Sequence, residues 1–182
     1  MIIEGVEAVL LQIHADDRGR MLETYRHEWL PHTAPMVQSN HAVRHAGCVV
    51  GLHYHLRQAD YWYVASGRAR AVLHDLRVGS PTEGTTQVVE LAGAGDDGPT
   101  PKGLYIPPGV AHGFAALSDL SLTYLVDAYY DPADEHGLAW NDPAVTADWG
   151  IADPRLSTRD LSNPGREAID PLVLPRYARG KR

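Results

Sequence analysis

Short apolar runs separated by turn residues fill much of the first 130 residues, and this rhythm restricts the fold more than any other feature. The runs are rich in Val, Leu, Tyr and Trp, while the breaks between them, such as DDRG, VGSPTEG and IPPG, contain turn formers. Apolar and polar residues alternate over 68–74 and over 85–91, as in antiparallel strands with one face on a core. The pattern predicts an all-β sandwich or jelly roll.

The character of the sequence changes after Tyr130. This part is rich in Pro, Asp and Trp, and it carries Ser and Asp residues of the kind that cap helices. We therefore expect short helices and irregular turns wrapped on the barrel. A length of 182 residues suits one sizeable core, so we predict a single domain over 1–182, with its core at about 5–162 and a C-terminal tail at about 163–182.

Charge and cysteine content exclude several classes of function. The formal net charge is −7, which argues against a nucleic-acid-binding surface. Cys48 is the single cysteine, so an internal disulfide is impossible, and the first residues lack the features of a secretory signal. The apolar runs are too short to span a bilayer. The sequence thus predicts a cytoplasmic protein whose partner is a small molecule, neither nucleic acid nor membrane.

The chemistry-bearing residues begin with two histidines in GLHYH. Alternate residues of a strand point to the same face, so His53 and His55 should face one cavity. A bend through LRQA would then place Asp60 at the start of the next strand. His112 follows the turn IPPG and should enter a further strand.

These spacings resemble the metal-binding motifs of the cupin superfamily. The matching positions are Gly47, His53, His55, Asp60 and Gly67 in the first motif, with Asp where Glu is usual, and Pro107, Gly109 and His112 in the second. Imidazoles and one carboxylate suit Fe, Mn, Ni, Co or Zn. The resemblance therefore predicts a divalent transition metal bound by His53, His55, Asp60 and His112. The alternative is that the histidines are hydrogen-bonded core or pocket residues and that Asp60 caps a turn.

A second resemblance, over about residues 5–162, is to the dTDP-4-dehydrorhamnose 3,5-epimerase family, a branch of the cupin fold. It is carried by DDRGRMLETY, VQSNHAV, GLHYH, HDLRVGSPTEG, LYIPPGVAHGF, LTYLVDAYYDPADEHGLAWNDPAV and LSTRDLS. The resemblance implies a cupin double-stranded β-helix with short C-terminal helices, and an epimerase that uses neither metal nor organic cofactor. It also implies a homodimer in which sheets extend across the interface, and the N-terminal strand is suited to that.

The same resemblance implies roles for individual residues. His53 takes the position of the general base, Asp142 that of a carboxylate that orients the base, and Tyr124 that of the acid that returns the proton on the other face. An imidazole with a pKa near neutrality is a competent base. The positions that match substrate-binding residues of the family are Arg18, Glu23, Gln38, Asn40, His112 and Tyr129.

Three departures from the family pattern fall in the pocket. Val50 stands where the family has a phosphate-binding Arg, His55 where it has Gln, and Asp60 where it has a lysine that stabilises the enolate oxygen. The last two changes would convert a metal-free pocket into a metal site. His53 cannot be both a metal ligand and a free base, because both roles use the same lone pair.

Two functions therefore stay open on the sequence alone. The preferred one is an epimerase-like isomerase of a nucleotide-linked 4-keto-6-deoxysugar, which removes a proton next to the carbonyl in a metal-bound pocket. The alternative is a metal-dependent cupin enzyme, such as a dioxygenase, lyase or isomerase, that acts on another small polar metabolite. A sugar-binding cupin without catalysis is a third, weaker possibility, because a poised His and acid in a pocket usually do chemistry.

Overall fold

The computed structural model describes residues 1–96 and 98–178, so residues 179–182 of the predicted tail lie outside the described residues. The strands are β1 (Glu7–Leu10), β2 (His14–Asp16), β3 (Gly19–Met21), β4 (Gln38–Arg44), β5 (Val49–Tyr54), β6 (Asp60–Ser66), β7 (Arg68–Asp75), β8 (Thr86–Ala92), β9 (Lys102–Ile106), β10 (Val110–Ala116), β11 (Leu120–Val126) and β12 (His136–Gly137). One α-helical turn, α1 (Thr158–Leu161), and 3₁₀ turns at His27–Trp29, Pro132–Asp134 and Arg166–Ala168 complete the described elements.

Two five-stranded antiparallel sheets form the barrel. The first sheet has the order β1-β9-β6-β11-β4 and the second has the order β12-β5-β10-β7-β8, while β2 and β3 make a separate hairpin. The two stretches with alternating polarity are β7 and β8, which pair antiparallel with Ala69 opposite Leu91. The predicted all-β jelly-roll fold with short C-terminal helices is confirmed.

The chain buries two main apolar layers. One lies between the sheets and includes Trp62, Val64, Leu73, Leu104, Phe114 and Leu122. The other lies on the outer face of the second sheet, where Leu52 and Tyr54 of β5 pack with Leu138 and Trp149 of the C-terminal segment. Since alternate residues of a strand point to opposite faces, burying Leu52 and Tyr54 on the outside turns His53 towards the interior.

Two glycines allow β5 and β10 to approach each other next to the interior histidines. Gly51 has φ +106°, and a Cβ on it would lie 2.8 Å from both the Cα of Gly113 and the carbonyl oxygen of His112. An L side chain is strained at this φ, and real Cβ atoms do not come this close to backbone. The close approach sets His53 directly opposite His112 in the strand register.

Replacing Gly51 by alanine should lower the free energy of unfolding by about 3 kcal/mol, because it adds an overpacked methyl group to a strained φ. The matched control is Gly79→Ala, since Gly79 has φ +83° and no atom within 4 Å of the added Cβ. The control should therefore cost only the backbone strain, about 1 kcal/mol. Urea unfolding curves measure both values, and equal losses would contradict the close approach of β5 and β10.

No helix among residues 1–96 and 98–178 is long and apolar enough to cross a membrane. β1 lies at one edge of the first sheet and β4 at the other edge. Across the part of the chain that is described, the outer side of β1 has no strand paired to it.

Candidate active site

A cavity of about 190 Å³ opens between the two sheets. The first sheet lines it with Ala42, Arg44, Asp60, Trp62, Leu122 and Tyr124, and the second sheet with Val50, His53, His112, Gly113 and Phe114. His55, Gln58, Glu135 and Arg159 complete the wall. The cavity therefore joins apolar walls to a concentrated set of imidazole and carboxyl groups, which is typical of an active site.

One of these imidazoles is held by a buried carboxylate. His53 Nε2 lies 2.7 Å from Asp160 Oδ1. Because an ionised carboxylate only accepts hydrogen bonds, Nε2 carries the hydrogen and the lone pair is on Nδ1. Burial alone would raise the pKa of Asp160, but hydrogen bonds from His53 and Ser157 hold it below its usual value. Asp160 thus stays charged and holds the His53 ring through its Nε2–H.

Local structure places Asp160 for this contact. Ser157 is the N-cap of α1, and its Oγ accepts a hydrogen bond from the Asp160 amide and donates one to Asp160 Oδ2 at 2.8 Å. The preceding segment runs beside the start of β5, since the Val49 amide donates to the carbonyl of Arg155. The helical turn is therefore anchored against the strand that carries His53.

The assignment of Asp142 as the orienting carboxylate is corrected by this geometry. Asp142 Oδ1 accepts from the Ala144 amide at 2.8 Å, and Oδ2 accepts from the Arg166 amide at 2.7 Å. Asp142 thus closes a turn in the C-terminal segment, where backbone amides use both of its oxygens, and it does not line the cavity. Asp160 is the carboxylate that contacts His53.

Tyr124 lies on β11, in the sheet opposite to the strand that carries His53. Burial raises the pKa of its phenol, and the nearby carboxylates of Asp60 and Glu135 raise it further. The phenol therefore stays protonated at neutral pH and can donate a proton into the cavity.

His55, Asp60 and His112 form a second cluster in the same cavity. Their ligand-type atoms all lie within 4.8 Å of one another, and the residues are only 4%, 3% and 6% exposed. Of the four residues predicted to bind a metal, His53 is not part of this cluster. Its Nε2 contacts Asp160 instead.

Backbone carbonyls fix the tautomers of the two histidines in the cluster. His55 Nδ1 lies 2.9 Å from the carbonyl oxygen of Asp134, and His112 Nδ1 lies 2.9 Å from that of Val110. A carbonyl only accepts, so Nδ1 carries a hydrogen in both rings, and Nε2 is the ring nitrogen that faces the cluster. Burial lowers the pKa of His112, which keeps that ring neutral at physiological pH.

The predicted substrate-binding residues divide into two groups. His112 lines the inner cavity, and Gln38 and Asn40 line an adjoining outer cavity of about 310 Å³ that shares Tyr124 with it. The remaining three predicted residues line neither of these two cavities within one chain; they are Arg18, Glu23 and Tyr129.

The positions of these three residues explain why their side chains do not reach the cavities. Arg18 lies on the β2–β3 hairpin, outside both sheets, where it pairs with Asp16. Glu23 pairs with Arg26 on the surface, and Tyr129 is 75% exposed. In a single chain these side chains face solvent.

Sequence reasoning missed several residues of the site, namely Arg44, Gln58, Glu135, Arg159 and Asp160. The available signal for Asp160 was the stretch LSTRDLS, in which Ser157 and Asp160 have the spacing of a capping box. That signal identifies a helix start but not the residue that the acid contacts.

Comparison with known proteins decides the family. The family model described as dTDP-4-dehydrorhamnose 3,5-epimerase matches residues 1–167. The chain belongs to this family. The protein is therefore an isomerase of the epimerase type that acts on nucleotide-linked 4-keto-6-deoxysugars, and the predicted family and main function are confirmed.

Individual relatives agree with this placement. The dTDP-4-dehydrorhamnose 3-epimerase of Streptomyces niveus is 37% identical over 97% of this chain and 87% of its own. A 3′-monoepimerase from Streptomyces bikiniensis, solved in complex with dTDP-quinovose, is 33% identical with a TM-score of 0.89, covering 97% of this chain and 92% of that one. The epimerase of Legionella pneumophila Philadelphia 1, solved with dTDP-4-keto-L-rhamnose, is 31% identical with a TM-score of 0.89, covering 97% and 96%.

Proposed function

We propose that this epimerase inverts a carbon next to the C4 keto group of a dTDP-linked 6-deoxysugar, with His53 as the base and Tyr124 as the acid. One observation carries the proposal: His53, which Asp160 holds by a hydrogen bond, and the Tyr124 phenol line one cavity from opposite sheets. A sugar ring bound between the sheets would meet a proton acceptor on one face and a proton donor on the other. Inversion needs this arrangement.

In the proposed reaction, one proton leaves the carbon next to the keto group, and a different proton is added to the same carbon from the other face. The C–H proton passes to Nδ1 of His53, and its electron pair forms a C=C bond as the carbonyl becomes an enolate. The imidazolium that results is stabilised by the charged Asp160. The enolate then collapses to the ketone as the same carbon takes the Tyr124 proton on its other face. Proton exchange with solvent restores both side chains, so the net change is an isomerisation.

The outer cavity is the proposed place for the nucleotide. Gln38 and Asn40 offer amide groups there, and Arg159 borders both cavities. Arg44 also lines the inner cavity, so two guanidinium groups lie near the position where Val50 replaces the arginine of the family pattern. One guanidinium group can bind two oxygens of a phosphate at once, so these arginines support a diphosphate-linked substrate.

A homodimer would give a role to the residues left in solvent. β1 offers an open edge, across the described chain, for sheet extension by a second copy. The β2–β3 hairpin with Arg18 is separate from both sheets, and in a dimer it could reach the nucleotide cavity of the partner. The dimer and the cytoplasmic location stay predictions, and sedimentation at micromolar concentration tests the dimer.

Solvent deuterium uptake tests the proposed function. The protein is incubated in D₂O with dTDP-4-dehydro-6-deoxyglucose, and the ring protons are followed by NMR. We expect deuterium at carbon 3, carbon 5 or both, which also establishes which centres are inverted. Absence of uptake into this sugar and several related 4-keto-6-deoxysugars would overturn the proposal.

Replacing Tyr124 by phenylalanine should separate the two halves of the reaction. The variant keeps His53, so deuterium exchange should persist, whereas inversion should slow by about 10²-fold because no acid serves the other face. Tyr177→Phe is the control, since Tyr177 does not line the cavity and its hydroxyl donates to Glu4. Equal loss of exchange and inversion in Tyr124→Phe would show that Tyr124 acts in a different step.

A further inference from the structure

We propose that His55, Asp60 and His112 bind one divalent transition metal ion beside the His53–Asp160 pair. Three electron-pair donors converge here, namely Nε2 of each histidine and the carboxylate of Asp60. Binding of the ion stands on this geometry alone. The catalytic role that we assign to the ion rests, in addition, on the proposed function.

Hydrogen bonds between the three groups do not explain their arrangement. His55 Nε2 lies 3.9 Å from Asp60 Oδ1, and His112 Nε2 lies 3.8 Å from Asp60 Oδ2, which is too long for a hydrogen bond. Both rings have already placed their hydrogens on Nδ1. Both Nε2 atoms and the Asp60 carboxylate therefore face one another, and this is an arrangement that can bind one shared cation.

The distances suit ligands of a single ion after a small contraction. Two ligand atoms that each lie about 2.1 Å from a metal are separated by about 3.0–3.4 Å, depending on the geometry. The two His–Asp60 separations, 3.9 and 3.8 Å, exceed this range by roughly half an ångström, and all of the ligand atoms lie within 4.8 Å of one another. Side-chain rotation would have to bring them closer together around the ion.

The surroundings hold the carboxylate in place. Gln58 Nε2 donates to Asp60 Oδ1 at 3.0 Å, and Trp62 Nε1 donates to Asp60 Oδ2 at 3.0 Å. The Trp62 ring also packs edge-on against the His112 ring, with 5.3 Å between centroids. Hydrogen bonds to a ligand carboxylate and to the far nitrogens of ligand imidazoles are the usual supports of a metal site.

The donor set restricts the ion. Two imidazoles and one carboxylate favour Zn²⁺, Fe²⁺, Mn²⁺, Co²⁺ or Ni²⁺, whereas Mg²⁺ and Ca²⁺ prefer oxygen ligands. Three protein ligands leave coordination positions for a water or a substrate oxygen.

An ion at this place would offset a charge that opposes the reaction. Asp60 puts a buried carboxylate into the cavity where the enolate oxygen becomes negative. A bound divalent ion would neutralise Asp60 and attract the keto oxygen, so the enolate would form more easily. Its oxidation state does not change, and His53 and Tyr124 still carry the protons.

Metal analysis of untagged protein tests the binding. After reconstitution with Co²⁺ or Zn²⁺ and gel filtration, we expect about one ion per chain by mass spectrometry, and a visible absorption band for Co²⁺. His55→Gln and Asp60→Asn should each lower occupancy at least tenfold, whereas His41→Asn, an exposed histidine on β4, should retain it. Wild-type occupancy below about a tenth of an ion per chain, or occupancy unchanged in both cluster variants, would overturn the site.

His53→Asn separates this proposal from the proposed function. His53 lies outside the cluster, so the variant should bind Co²⁺ with the wild-type spectrum while it loses deuterium exchange. Full exchange activity in metal-free wild-type protein would overturn the catalytic role of the ion, while the proposed epimerase function would stand. A bound ion with no exchange on any 4-keto sugar would keep the site and overturn the proposed function. Equal kcat for chelated and reconstituted enzyme would overturn the catalytic role of the ion.

Discussion

Replacing His53 by asparagine is expected to lower kcat by about 10⁴-fold, because the amide cannot accept the proton that leaves the sugar carbon. Asparagine keeps a polar side chain that can still donate to Asp160, so the packing around the second sheet should be preserved. KM should change little, since the base acts mainly in the transition state. The assay follows deuterium uptake and epimer formation together, and both should fall by the same factor.

The control for this variant is a histidine on the outer side of the barrel. His41 lies on β4 and contacts the hydroxyls of Thr123 and Ser121, outside the cavity. His41→Asn should keep kcat within about twofold, as is usual for a surface change away from special features. If His53→Asn retained more than a tenth of wild-type exchange, another group would have to be the base.

Asp160→Asn is expected to lower kcat by about 10³-fold. An asparagine amide can donate to His53 Nε2, which would move the ring hydrogen to Nδ1 and remove the lone pair that faces the substrate. Loss of the negative charge would also leave the imidazolium without a partner. KM should stay within a few-fold of the wild-type value, because Asp160 binds His53 and not the sugar.

Asp142→Asn is the matched comparison for Asp160→Asn. The backbone amides of Ala144 and Arg166 occupy the Asp142 carboxylate, so its replacement should cost stability of the C-terminal segment and leave kcat within about threefold. Steady-state kinetics of the two variants, with unfolding curves as the check on folding, measure the difference. A larger kcat loss in Asp142→Asn would restore the assignment that family resemblance suggested.

The barrel was predictable because strand periodicity determines which face each residue takes. Leu52 and Tyr54 pack outside the second sheet while His53 points in, as alternation along GLHYH requires. Asp60 begins β6, as the bend in LRQA indicates. The face that a strand residue takes and the start of a strand both depend on residues nearby in the sequence, so the spacing of those residues could predict them.

The partner of His53 was not predictable from spacing. Asp160 lies 107 residues further along the chain, and it reaches His53 only because the C-terminal segment folds back along β5. Asp142 matched the expected chemistry equally well as a residue type. A contact between distant segments depends on the path of the chain, which no local pattern records.

The residues predicted to hold the nucleotide show a related limit. Gln38 and Asn40 reach the outer cavity through β4, which pairs with the strand of Tyr124. Arg18 and Glu23 face solvent in one chain, so resemblance can name them but cannot say which copy of the chain they serve.

A crystal structure of the protein with a 4-hydroxyl analogue, such as the dTDP-quinovose bound by the Streptomyces bikiniensis relative, measures most directly whether His53 and Tyr124 reach opposite faces of the sugar. We expect the ring between the two sheets, with His53 Nδ1 about 3.5 Å from a carbon next to C4 and the Tyr124 hydroxyl on the other side. A sugar ring with both side chains on one face, or one bound outside this cavity, would contradict the mechanism.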